Sequence, residues 1–263
     1  MVNPFQFLWR HRNLIWHTTL SDIRARYTGS VFGMAWAILN PLLLLSVYVV
    51  LYLVIFKIQL PGLSSVDYVL VIFTGLIPWF GFSEAITASL ISVVSNANLL
   101  RSTSFPTPAL PAKAVLASIF TQVIGLSLLL IALILTGHVS RYWLFLPVAV
   151  GVQLLLTIGL GWVLSVLNVF IRDLMQAISV VLLFLMFISP IAYVPEMIDI
   201  RLLRVILSLN PLHYLINLYR MPLFYGRLPS PLDVAISLGL ALLVFWGGYR
   251  FFVRIKPHLV DYV

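Results

Sequence analysis

The sequence predicts an all-α integral membrane protein with six transmembrane helices. An N-terminal interfacial amphipathic helix and two re-entrant external half-helices between spans five and six complete the predicted fold. Three observations lead there. First, the 263-residue chain is 62% hydrophobic and 9% charged, with a mean hydropathy of +1.07. A soluble domain carries about 25% charged residues because its surface faces water, so lipid must cover much of this one. Second, long runs lack any charge, the first from residue 27 to residue 56. Third, the 16 Lys and Arg residues, against 8 Asp and Glu, mostly lie between those runs, as expected where basic residues set topology.

The elements follow in order. Asn3, Pro4 and Gln6 supply a cap, a first-turn proline and a glutamine three residues after the cap, the signature of a helix start. At about 100° per residue, Phe5, Trp9, Trp16, Leu20, Ile23 and Tyr27 fall within about 60° of one another. Arg10, His17 and Arg24 lie beside or beyond that stripe, and Arg12 snorkels at its edge. Residues 3–27 are therefore expected to form an interfacial helix, broken near Asn13. They hold no uninterrupted apolar core and are not expected to be a signal peptide.

Spans are predicted at 31–56, 68–94, 114–136, 143–171, 174–194 and 234–253. Pro41, Pro78 and Pro190 fall in or near spans, where neighbouring helices satisfy the freed carbonyls. Between spans five and six, two short apolar pieces at 202–209 and 212–218 are separated by Asn210 and Pro211. Each is roughly 12 Å of helix, too short to cross, and both read as re-entrant within an external segment over 195–232. A continuous span over 205–224 is the alternative. It would place Arg250, Arg254 and Lys256 outside. With six spans and the N-terminus inside, ten Lys and Arg lie in cytoplasmic segments and six in external ones, which puts both termini in the cytoplasm.

Several function classes lose ground. There is no cysteine, no G-x-x-x-x-G-K-[ST] phosphate loop, no H-E-x-x-H and no G-x-S-x-G. The chain is thus expected to bind no nucleotide, metal or cofactor of its own and not to be an enzyme. Its basic excess (+8, pI about 10.0) is assigned to topology and membrane lipids rather than to nucleic acid. Glu84 is the sole acidic residue well inside a span. A proton-coupled carrier usually shows several such groups, and no internal repeat stands out. Glu84 is expected to face a channel or a subunit interface, because charge at mid-membrane tends to face protein or water.

The stretch 22–41, with Asp22, Arg24, Arg26, Tyr27, Gly29, Gly33, Trp36, Asn40 and Pro41, resembles the start of type-2 ABC exporter permeases of the polysaccharide, O-antigen and teichoic-acid group. Arg172, Asp173 and Leu174 after span four, Pro190 closing span five, and Asn210, Pro211, His213, Tyr214, Tyr219, Arg220 and Gly226 before the last span continue the resemblance in order. It implies a homodimer with a channel on the dimer axis and two copies of a cytoplasmic ABC ATPase, which carries the ATP and Mg. It further implies a polyprenyl-linked polysaccharide, O antigen-like, as substrate. Capsular polysaccharide, teichoic acid or a smaller hydrophobic compound are the alternatives. The expected place is the bacterial inner membrane.

The candidate residues follow. Arg24 and Arg26 are placed to hold the lipid diphosphate. The cytoplasmic loop 95–113, with Asn96, Asn98, Arg101 and three prolines, is expected to meet the ATPase, as are Arg172 and Asp173 at the next cytoplasmic turn. The external segment is expected to act as a gate, with Arg201, Arg204, Asn210, Pro211, Tyr214 and Arg220 as its candidate residues. Of these, Arg201, Arg204 and Arg220 would contact phosphate or acidic sugar.

Overall fold

The computed structural model describes residues 3–55, 64–97, 99, 105–171, 173–191 and 209–262. Every regular element among them is helical. Helix α1 (Pro4–Arg10) starts where the sequence places it, with Asn3 Oδ1 accepting from the Phe5 amide at 3.0 Å. The break to α2 (Arg12–Tyr27) falls at His11, two residues before the expected position. The His11 ring stays against α1, with Nδ1 2.9 Å from the Phe7 carbonyl.

A 3₁₀ turn (Gly33–Ala35) leads into α3 (Trp36–Val49), which contains Pro41 and continues as a π-helix (Val50–Ile55). Helix α4 (Ser65–Ile91) opens on a reciprocal cap, in which Ser64 Oγ accepts from the Asp67 amide and the Asp67 carboxylate from the Ser64 amide. Helix α5 (Ala109–Leu135) begins five residues before the predicted span, taking Lys113 and Pro111 out of the expected loop. Pro111 sits in the first turn, where no intrahelical N–H is required. Helix α6 (Leu146–Phe170) follows a 3₁₀ turn (Arg141–Phe145) capped by Ser140.

Helix α7 (Leu174–Ile188) stops short of the predicted end because Ser189 precedes Pro190 and adopts the extended backbone that proline imposes on its neighbour. Its 15 residues span roughly 22 Å. Helix α8 (Pro211–Leu223) is longer than the expected half-helix, and α9 runs over Pro231–Tyr262. Among the described residues four helical segments are long and apolar enough to cross a membrane: Ser65–Ile91, Ala109–Leu135, Arg141–Phe170 and Pro231–Leu259. These coincide with predicted spans two, three, four and six. Predicted spans one and five lie on the shorter apolar helices Gly33–Val49 and Leu174–Ile188.

Helices α4, α5, α6 and α9 form the centre, with α6 along α9 and α4 against α5. The α6–α9 contact is set by glycine. A Cβ on Gly159 would lie 2.6 Å from the Phe245 nitrogen, and one on Gly248 would strike the Gly159 carbonyl. Only backbones without side chains approach so closely. Replacing Gly159 with Leu is expected to lower the thermal midpoint of the purified protein by several degrees, reflecting an overpacking cost of about 1–3 kcal/mol. Gly151→Leu, where the added Cβ meets nothing within 4 Å, should leave it close to wild type.

Helices α1 and α2 lie at one end of this bundle, where Phe7 and Ile15 join a core cluster with Val93, Leu110, Trp162 and Phe252. Helix α8 belongs to the opposite half, packed with Leu76, Leu129 and Leu223. There the Trp143 indole donates to the Leu223 carbonyl at 3.2 Å, and His138 stacks on Phe224 while sitting 3.5 Å from Asp67 at the start of α4.

Candidate functional site

The site is built on the way α2 docks. Its buried face is Ile15, Thr19 and Ile23, centred about 70° from the stripe read in the sequence and sharing Ile23 with it. Two ion pairs flank that face. Asp22 meets the Lys113 ammonium at 3.0 Å, and Arg26, one turn on, donates from Nη1 to Glu84 Oε1 at 2.5 Å. Thr19 Oγ1 donates to the Lys113 carbonyl at 3.5 Å. The helix therefore packs on the bundle through partnered polar groups. Trp9 and Trp16 are left 70% and 58% exposed, as suits aromatic rings at a membrane interface.

Two residues singled out separately in the sequence thus meet. Glu84, twentieth of the 27 residues of α4, has Arg26 as counter-ion and Thr121 Oγ1 at 3.5 Å. Pairing offsets the cost of a carboxylate at membrane depth. The pair forms part of the wall of an open-sided groove of about 810 Å³ bounded by α2, α3, α4 and α5. Asn40, Ser83, Glu84, Thr87, Thr121 and Gln122 supply its polar groups, while Tyr27, Trp36 and Phe80 supply ring faces. A concave surface combining apolar walls with a few converging polar groups is the usual form of a binding site. Ring faces beside hydroxyl and amide groups suit a sugar, which presents C–H groups on one side and hydroxyls on the other.

Behind the groove lies a buried network that sequence reasoning missed. Gln122 and Gln153 exchange hydrogen bonds through their amides at 3.0 and 2.8 Å. Tyr219 donates to Gln153 Oε1 at 2.6 Å, and Gln153 Nε2 also donates to the Pro78 carbonyl at 3.2 Å. Four helices are pinned at one point: α4 at its proline, α5, α6 and α8. The available signal was a glutamine in the middle of each of two apolar runs. An amide in hydrocarbon finds a partner across helices, so each glutamine marks a contact between helices.

The other expected site residues are dispersed. Arg24 is exposed, and its carbonyl accepts from Thr28. Asn96 ends a 3₁₀ turn and donates to the Ser92 carbonyl at 2.8 Å. Asp173 is exposed at the N-cap of α7 and makes no side-chain cap bond. Asn98, Arg101, Arg172, Arg201 and Arg204 lie outside the described residues. Asn210 caps α8, its Oδ1 accepting from Leu212, and donates to Ser189 Oγ at 2.9 Å. Pro211 takes the first helical position, and Tyr214 packs edge-on to His213.

Arg220 corrects an expectation. Instead of facing outward toward an anion, it is 2% exposed. Its Nη2 donates to the Ile191 carbonyl at 2.8 Å and its Nε to Thr74 Oγ1 at 3.4 Å. The planar fork reaches the carbonyl of a chain leaving α7 and a hydroxyl one turn before Pro78, which makes it a joint between α8, α4 and the end of α7.

Among the described residues every regular element is helical and several helices are long and apolar enough to cross a membrane, the pattern of a multi-pass membrane protein. Residues 13–224 match the family described as ABC-2 type transporter (ABC2_membrane), and the chain belongs to that family. It is similar to the O-antigen export system permease protein RfbA of Myxococcus xanthus, at 28% identity over 254 residues, 96% of each chain. Two proteins of Klebsiella pneumoniae with the same name are also similar. One is 31% identical over 204 residues, 77% of this chain and 76% of the relative; the other is 29% identical over 247 residues, 92% of each.

Proposed function

We propose that this chain is the membrane-spanning permease subunit of an ATP-driven exporter that moves an O antigen-like, lipid-linked polysaccharide across the inner membrane. The observation that carries the reading is the groove of about 810 Å³, which brings ring faces, amides, hydroxyls and the Arg26–Glu84 pair to one open-sided surface. The relatives' names favour O antigen over capsular polysaccharide, teichoic acid or a small hydrophobic compound. In this reading the lipid diphosphate approaches Arg24 and Arg26, and the sugars pass the groove.

Two copies of the chain form the transport path. The outward faces of α3 (Ile38, Leu42, Val47) and α7 (Val180, Leu183, Phe184, Phe187) are exposed and apolar in the single chain, so lipid or a second copy must cover them. Six spans follow if α3 with its π-helical extension, and the chain beginning with α7, each complete a crossing. Helix α8 is then a re-entrant element: it lies in the half opposite α1 and α2, yet Tyr219 reaches Gln122, the midpoint of α5. Both termini are cytoplasmic by the distribution of Lys and Arg. ATP and Mg are used by two copies of a separate ATPase, since this chain has no phosphate loop.

Affinity purification of the tagged chain in mild detergent is expected to recover a phosphate-loop ATPase in equal amount. A clean homo-oligomer, under conditions that preserve a known ABC complex, would contradict the reading.

A further inference from the structure

A second crevice, of about 460 Å³, lies where the α1–α2 corner meets the bundle. Leu8, Ile15 and Trp16 form one wall, and Leu116 of α5 and Ile158 of α6 the other, with Arg12 on its lining. Its depth is informative. Arg12 is exposed on the interfacial helix, whereas Ile158 is the midpoint of the helix Leu146–Phe170. The crevice thus runs from the level of a fixed cation to the middle of a membrane-length helix, and beyond Arg12 and Asn13 its lining is apolar or aromatic.

We infer that this crevice holds one anionic phospholipid of the bilayer, its phosphate on Arg12 and one acyl chain along Leu116 toward Ile158. Apolar walls that open at a membrane interface are filled by acyl chain rather than water. An acyl chain gains little by exchanging one apolar surface for another, so selectivity must come from the mouth. Arg12 stacks on Trp9 at 4.4 Å and donates to its carbonyl at 3.2 Å. That fixes the guanidinium while using one of its five N–H donors. Among the described residues no carboxylate pairs with it. A phosphate oxygen completes its coordination, and the lipid becomes part of the seat of α1 and α2. The crevice is separate from the groove, and the inference does not depend on what is exported.

The test is native mass spectrometry of the full chain, purified in mild detergent, delipidated, and titrated with phosphatidylglycerol or phosphatidylcholine of matched chains. One phosphatidylglycerol per chain should be retained, about fivefold more tightly than phosphatidylcholine, as one basic residue at the surface provides. Arg12→Gln should abolish that preference. Leu116→Trp, which fills the crevice, should remove the retained lipid, whereas Leu135→Trp, at an exposed apolar position, should not. Because Leu116→Trp alters packing, the Arg12→Gln selectivity stands as an independent readout. Equal retention of the two lipids by wild type, unchanged preference in Arg12→Gln, or recovery of a polyprenyl phosphate in place of phospholipid would overturn the assignment.

Discussion

Arg220→Ala is expected to lower the stability of the purified protein by about 2–5 kcal/mol, the range for losing a buried charged group's hydrogen bonds and leaving a cavity. At this chain length that is a drop of roughly 10 °C in thermal midpoint. The side chain is almost fully buried, and its removal takes the donor from the Ile191 carbonyl, while Thr74 Oγ1 keeps only its own donation to the Val71 carbonyl. Arg220→Lys retains the charge but not the fork, and should fall between. Export should decline in parallel with the amount of folded protein. This outcome separates a structural joint from a surface contact with the passing glycan: in the latter case Arg220→Ala would keep the wild-type midpoint and lose export alone.

Glu84→Gln is expected to do the reverse, lowering export about tenfold, equivalent to about 1.4 kcal/mol, with little change in stability. Both side chains of the Arg26–Glu84 pair are about one-third exposed, and partly exposed pairs add little to folding. The pair fixes the last turn of α2 against α4, at the edge of the groove. Arg26→Glu combined with Glu84→Arg should recover more export than either single change. Wild-type export in Glu84→Gln, measured as surface glycan per folded permease, would remove the pair from the transport path.

Hydropathy made the apolar helices legible, because lipid contact demands uninterrupted apolar runs: four predicted spans coincide with long helices. Capping chemistry made one local start legible as well, at Asn3. What stayed hidden depended on which polar group meets which. The docking face of α2 is not legible in the sequence because Thr19, Asp22 and Arg26 look solvent-facing until Lys113 and Glu84 are placed opposite them. Gln122 and Gln153 looked like isolated amides until α8 brought Tyr219 between them. Lys113 reads as a loop charge because the uncharged run of the next span begins only at Ala114, although a proline in a first turn is compatible with a helix. Arg220 reads as a gate residue for phosphate or acidic sugar because a lone arginine between apolar pieces carries no mark of burial.

The proposed carriage of lipid-linked polysaccharide across the membrane is open to test by depletion of the chain. With the chain depleted, lipid-linked glycan should accumulate on the cytoplasmic face and disappear from the cell surface, with recovery on restoring the wild type and only weak recovery with Glu84→Gln. Undiminished surface polysaccharide and no internal accumulation, in cells shown to lack the chain, would contradict the account.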